Sequence, residues 1–487
     1  MTDYKSAIEA NKDTMLQSLQ KLIQIPSVTG RQKDVLYALN TFLEWGREMG
    51  FDVKNYDDLG GIIEFGEGNK KTIGIIVHLD VVPEGTGWNY PPFEGKIQDG
   101  KIYGRGAIDD KGPAISALYA LKAVKDAGIT PKNKVQLIIG LDEESIWNTT
   151  PKLLKKIKEP DFSFVPDSVF PIVCAEKGLI WLELKRSVAP DSIFGNKHNP
   201  SIDVTDKMDV SHDSKNNASI CIKHLHGGGD SLNIVPDLCE AVLEISGSDG
   251  SPDIQEQLSA YVKETNYDIE LSHNKSEIKL ISHGKAAHAF NCQEGQNAIS
   301  QLILFLSQLN IDEQQKQLIE LYAEKLGRDC TGQNLGLHFE DRLTGKMTVC
   351  PGFIAMDNAS FTLKIDIRFP ASESLDAIRP KVESAFEDFD ADLTILDSLE
   401  SLHFPEDDPH IQALLNVYQD FSGDREARPI GMGGTTFAKA FQRAVAFGPS
   451  FPGMAKIEHQ PDEYIAIDHL LKCTDIYAQA IEVLAAL

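Results

Sequence analysis

Two nearly continuous aliphatic runs, Thr72–Val77 (TIGIIV) and Val135–Leu141 (VQLIIGL), constrain this chain more than any other feature. Runs without polar alternation are expected of strands buried on both faces, as in a parallel sheet. Between them the pattern changes to a helical period. Ile115, Leu118, Leu121 and Val124 fall on one face, Pro113 suits a helix start and Gly128 a helix end. Strand–helix–strand in this order predicts an α/β domain with a mostly parallel sheet.

Beyond about Glu176 the grammar shifts. Leu179–Lys185, Glu240–Ile245, Glu277–Ser282 and Ser360–Arg368 read as alternating strands, separated by polar stretches such as Asn196–Asn217. Gln296–Leu309 and Ser374–Phe386 read as helices. After Leu402 the first grammar returns, with a helix at His410–Gln419, a short strand at Arg443–Phe447 and a closing helix from Asp468. The expected organisation is therefore a catalytic domain in two parts, 1–177 and 402–487, interrupted by a large α+β lid domain at 178–401, long enough for two lobes.

The 487 residues carry 73 acidic against 47 basic side chains, a formal charge of −26, which disfavours nucleic acid and anionic membrane as partners. No run reaches the ~20 apolar residues of a membrane span. The N-terminal stretch lacks a basic region followed by an apolar one, and Met15, Leu19, Leu22 and Ile23 instead mark an amphipathic helix stopped by Pro26. The 7 cysteines are scattered and form no CxxC, which predicts reduced thiols and a cytoplasmic location.

Four stretches place acids or imidazole beside these elements. His78 and Asp80 follow TIGIIV, Glu143 and Glu144 follow VQLIIGL, and Asp167 follows Phe162–Val165. Asp109 and Asp110 precede the helix of Pro113. Taken singly, each is ordinarily a hydrogen-bonded pair, a solvated patch or a cap. Together they differ, because side chains at the carboxyl ends of parallel strands share one crevice. Carboxylates so crowded call for cations.

The stretches HLDVVPEG, GWNYPPFEGKIQDGKIYGRGAIDDKGP and LDEES, followed by NIVPD, GKAAHA, DIRFP, GMGGTTFA and FGPSFPGMAKIEHQPDEYI, resemble the co-catalytic zinc peptidases that include aminoacylases, succinyl-diaminopimelate desuccinylase and glutamate carboxypeptidases. The likeness is greatest to the peptidase V group of bacterial dipeptidases. It implies two divalent metal ions, Zn2+ with Mn2+ or Co2+ as substitutes, held by His78, Asp109, Glu144, Asp167 and His459. Asp109 is implied to bridge them and His78 and Asp167 to serve different ions, the remaining pairing being open. It further implies that Asp80 bonds the second nitrogen of His78, and that a cis peptide joins Asp109 to Asp110. Glu143 is implied as general base, His288 as oxyanion donor, and Arg368 as a fork for the substrate carboxylate, with Asn233, Gly434 and Thr435 lining the pocket.

The activity implied is hydrolysis of dipeptides or similarly short peptides, by a monomer whose lid mimics a second subunit. N-acyl amino acid hydrolysis is the alternative, and a catalytically inactive peptide binder a third reading. His224 and His226 alternate on an expected strand and read as structural, as do His273, His283, His338, His403 and His410.

Overall fold

A computed structural model describes residues 2–67, 71–145, 147–187, 219–229, 231–246, 254–274 and 277–487. The polar stretch Asn196–Asn217 lies outside the described residues. The chain forms two compact units, one of Met1–Glu176 with Leu402–Leu487 and one of Lys177–Ser401.

The first unit is built on a nine-stranded sheet. Its centre is parallel: Thr72–His78 lies between Lys134–Gly140 and Phe162–Val165, and Ala444–Ala446 continues beyond the latter. The aliphatic runs take the middle of the sheet because both faces there are covered. Ile73, Ile75, Ile76, Val77, Leu137, Ile138 and Ile139 are all 2% exposed or less, each such side chain contributing about 1.5–3 kcal/mol by burial. Antiparallel strands Asp52–Asn55 and Gly61–Phe65 complete one edge.

The helix between the two runs spans Lys111–Asp126, beginning two residues before Pro113. Gly128 follows it at φ +75°, and Ile129 N–H closes onto the Val124 carbonyl at 3.2 Å, a left-handed helix end that glycine adopts without strain. The N-terminal helix covers Lys5–Ile23, and its Met15, Leu19, Leu22 and Ile23 are fully buried. The closing helix, Ile467–Leu484, packs along Lys111–Asp126.

The second unit is α+β. Its eight-stranded antiparallel sheet joins two four-stranded halves. One half holds Ser219–Gly228, Leu238–Ser246, Asp268–Asn274 and Glu277–His283; the other holds Gly178–Ser187, Thr348–Met356, Ser360–Phe369 and Asp392–Leu399. The two halves of this one sheet are joined by Leu225–Gly228 against Phe353–Met356. Helices Ala298–Leu306 and Leu375–Ala385 belong to it, a little shorter than the sequence pattern suggests. All seven cysteines are free thiols. No helix among the described residues is long and apolar enough to cross a membrane.

Candidate active site

At the carboxyl ends of the parallel strands the first unit gathers the expected cluster. His78 is the last residue of its strand and is completely buried, opposite Gly140 of the neighbouring strand. Its Nε2 lies 3.1 Å from Asp109 Oδ1 and 3.7 Å from Asp167 Oδ2. From the far end of the sequence comes His459, whose Nε2 lies 3.1 Å from both Asp109 Oδ2 and Glu144 Oε1. Two groups able to hold a cation result, His78–Asp109–Asp167 and Asp109–Glu144–His459, and they share Asp109. This corrects one expectation: His78 and Asp167 fall in the same group, because both sit at the ends of adjacent parallel strands.

Asp80 meets the second nitrogen of His78 through two of its oxygens. His78 Nδ1 meets the Asp80 carbonyl oxygen at 3.0 Å, and the carboxylate Oδ1 only at 3.4 Å. A carbonyl can only accept, so Nδ1 carries hydrogen and Nε2 turns its lone pair to the cluster when the ring is neutral. The Asp80 carboxylate also accepts from the backbone N–H of Glu143 (3.1 Å) and Glu144 (3.1 Å) and from Thr29 Oγ1 (2.9 Å). It thereby fixes the turn that carries both glutamates. The Asp109–Asp110 peptide is cis. Asp110 Oδ2 accepts from His78 N–H at 3.0 Å.

The electrostatics favour a bound cation. Burial pushes the carboxyls of Asp110, Glu143 and Asp167 well above the usual range. Burial, followed by the charge of Asp109, also raises Glu144. Burial alone pulls His78 down, but the carboxylates of Asp109 and Asp80 outweigh it and leave the imidazolium favoured. The ring protons thus stand where a cation suits the same oxygens better, and the buried Asp110 Oδ1 has no hydrogen-bond partner among the described residues. The donor set of imidazole nitrogens and carboxylate oxygens fits Zn2+ or a similar divalent ion.

Gly434 and Thr435 lie in the same unit. The loop carrying them is anchored by the next residue, since Thr436 donates to the buried Glu176 through N–H (3.0 Å) and Oγ1 (2.7 Å). Phe437 then packs edge-on to Trp147 at 5.9 Å, and against Gly140, where a Cβ would lie 2.2 Å from the ring. This loop and the Glu143–Glu144 turn are therefore packed together.

Within the second unit, Asn233 and His288 lie on adjoining segments. Ala289 N–H donates to the Asn233 carbonyl at 2.8 Å, and Ile234 bridges His288. The His288 ring is exposed, packs on Phe290 at 4.2 Å and accepts at Nδ1 from Phe290 N–H at 3.2 Å. Arg368 is 4% exposed and gives Nε and Nη2 to Asp366, each at 2.9 Å. The expected carboxylate fork thus already holds an internal carboxylate, which also accepts from Trp181 Nε1 at 2.7 Å. His224 and His226 stand on one strand with rings stacked 6.0 Å apart.

The model of peptidase family M20/M25/M40 matches residues 74–483, across both units. The chain belongs to this family. It is 35% identical to YtjP of Bacillus subtilis, which carries a provisional dipeptidase name, over 97% of this chain and 98% of that protein. It is 32% identical to the Beta-Ala-Xaa dipeptidase of Lactobacillus delbrueckii subsp. lactis, over 98% and 97% of the two chains. Among solved structures, human carnosine dipeptidase 1 shares the fold at a TM-score of 0.57 and 16% identity, covering 99% of each chain. As an M20 family member the chain is a metallopeptidase.

Three residues of this M20 chain acquire a place that sequence reasoning did not give them. Glu176 ends the strand Val173–Glu176 with no motif around it. Arg105 and Glu463 lie inside quoted motifs, GRGAIDDKGP and HQPDEYI, but their spacing of several hundred residues hides that they pair.

Proposed function

We propose that this M20 enzyme is a two-metal dipeptidase, with His78, Asp109 and Asp167 holding one divalent ion and Asp109, Glu144 and His459 the other. The observation that carries this reading is the carboxylate of Asp109, which offers one oxygen to each histidine at 3.1 Å. When bound, such a pair of ions acidifies a shared water and polarises the scissile carbonyl. Zn2+ suits the donor set, and Mn2+ or Co2+ can replace it.

Glu143 stands in the same turn as Glu144 and is the general base of this reading. In this reading it takes a proton from water and returns it to the leaving amine. Asp80 holds that turn against His78, so base and cation-holding groups keep register. His288 is the oxyanion donor, with Asn233 on the adjoining segment, and Gly434 and Thr435 line the substrate pocket. Arg368 serves the substrate carboxylate in the same reading, in exchange with or beside Asp366. The working unit is one chain, its Lys177–Ser401 unit acting as lid, and seven free thiols suit the cytoplasm.

A dipeptide substrate is supported by relatives of 32–35% identity over nearly the whole chain that carry dipeptidase names. The test compares Ala-Ala and β-Ala-Ala with N-acetyl-alanine and tripeptides on metal-loaded enzyme. Dipeptide turnover at least tenfold above the others supports the reading. Preference for N-acetyl-alanine assigns the enzyme to acyl amino acids instead.

A further inference from the structure

The loop that carries His459 is held by one buried ion pair. Arg105 is 2% exposed and Glu463 fully buried, with Arg105 Nη1 2.6 Å from Glu463 Oε2. The remaining contacts of the pair reach three separate loops. Arg105 Nη2 donates to the His459 carbonyl at 3.2 Å and to the Glu84 carbonyl at 3.4 Å, and Nη1 to the Gln460 carbonyl at 3.3 Å. Glu463 Oε1 accepts from Ile108 N–H at 3.0 Å and Asp109 N–H at 3.3 Å.

His459 has φ +63° and Asp462 φ +57°, left-handed values that are uncommon for residues with a Cβ and are held here by the surroundings. The surroundings do so at both ends of this short loop. The guanidinium holds the His459 carbonyl, and Asp462 Oδ1 accepts from Asn89 N–H at 2.8 Å and Tyr90 N–H at 3.1 Å. Arginine is required for this geometry, since its planar fork serves a carboxylate and several carbonyls at once, and the Trp88 ring lies 5.2 Å from its central carbon.

We infer that Arg105 and Glu463 are positioning residues for the second metal, setting the backbone of His459 and of Asp109 so that their side chains converge with Glu144. This rests on the two-metal reading above. The pair acts on the Asp109–Glu144–His459 group. The His78–Asp109–Asp167 group shares Asp109, but its His78 and Asp167 are set by the ends of adjacent parallel strands.

The experiment is calorimetric titration of metal-stripped full-length protein with Zn2+, and separately Mn2+, for wild type, Arg105→Lys and Glu463→Gln. Lysine keeps the charge but loses the fork, and glutamine keeps an acceptor but loses the ion pair. Wild type takes two ions. Each variant takes the ion of Glu144 and His459 about 10–100-fold more weakly, the usual cost of removing a group that orients a metal ligand, and the ion of His78 and Asp167 is weakened less, through the shared Asp109 alone. Hydrolysis by the variants recovers when metal is raised, a rescue that a general loss of folding does not give. Two unweakened sites in either variant overturn the inference, as does equal weakening of both sites. Unfolding of both variants by circular dichroism also overturns it, since the pair is then a general structural bond. Wild-type protein that takes fewer than two ions removes the two-metal reading itself, an outcome distinct from the others.

Discussion

Asp109 faces His459 with Oδ2 3.1 Å from Nε2, while its other oxygen faces His78 at the same distance. One carboxylate so placed contacts both histidines, and it joins residues from the two segments that make up the first unit. The cluster exists only when both segments are folded together. Stability and metal binding are therefore coupled in this chain.

Glu143→Gln tests the assigned base. Glutamine keeps the shape of the turn but cannot take a proton. The expected result is metal content equal to wild type and kcat reduced about 10²–10⁴-fold. Paired metal analysis and steady-state kinetics check it, and turnover near wild type removes Glu143 from the role.

Asp80→Asn tests the anchor of the turn. Its carboxylate accepts from two backbone N–H groups and Thr29, and asparagine replaces one acceptor oxygen by an NH2 that faces a donor. Metal affinity is expected to fall about tenfold or more. Loss of activity should accompany loss of metal, measured by competition with a chelator.

Gly140→Ala tests the packing that sets the Gly434–Thr435 loop. The added Cβ meets the Phe437 ring at 2.2 Å, so the ring must move. A destabilisation of about 1–3 kcal/mol is expected, with KM for dipeptides raised. Thermal unfolding and kinetics on the same preparation check both.

His288→Ala tests the oxyanion donor. Metal binding should be unchanged, because His288 belongs to the other unit and to neither cation-holding group. A fall in kcat of about 10²–10³-fold is the expected size for a lost donor. Equal kcat with only KM altered makes His288 a binding residue.

The central sheet was legible because strands covered on both faces leave unbroken aliphatic runs. The cluster was legible because His78, Glu143, Glu144 and Asp167 follow such runs directly. What stayed hidden depends on loop geometry. The grouping of His78 with Asp167 follows from strand adjacency, and the Asp80 carboxylate serves two backbone N–H groups as well as the imidazole; neither is written in spacing. The strand Thr348–Met356 was not expected because it contains Pro351, which the structure accommodates where the pairing register shifts between Pro351 and Phe353. Asp268–Asn274 is a polar edge strand, paired on one side only, and lacks a strong apolar signature.

The most direct measurement is metal-edge anomalous diffraction from crystals of the zinc-loaded enzyme. Two anomalous peaks are predicted, both in contact with Asp109, one shared with His78 and Asp167 and the other with Glu144 and His459. A single peak, or a second ion away from Asp109, contradicts the account.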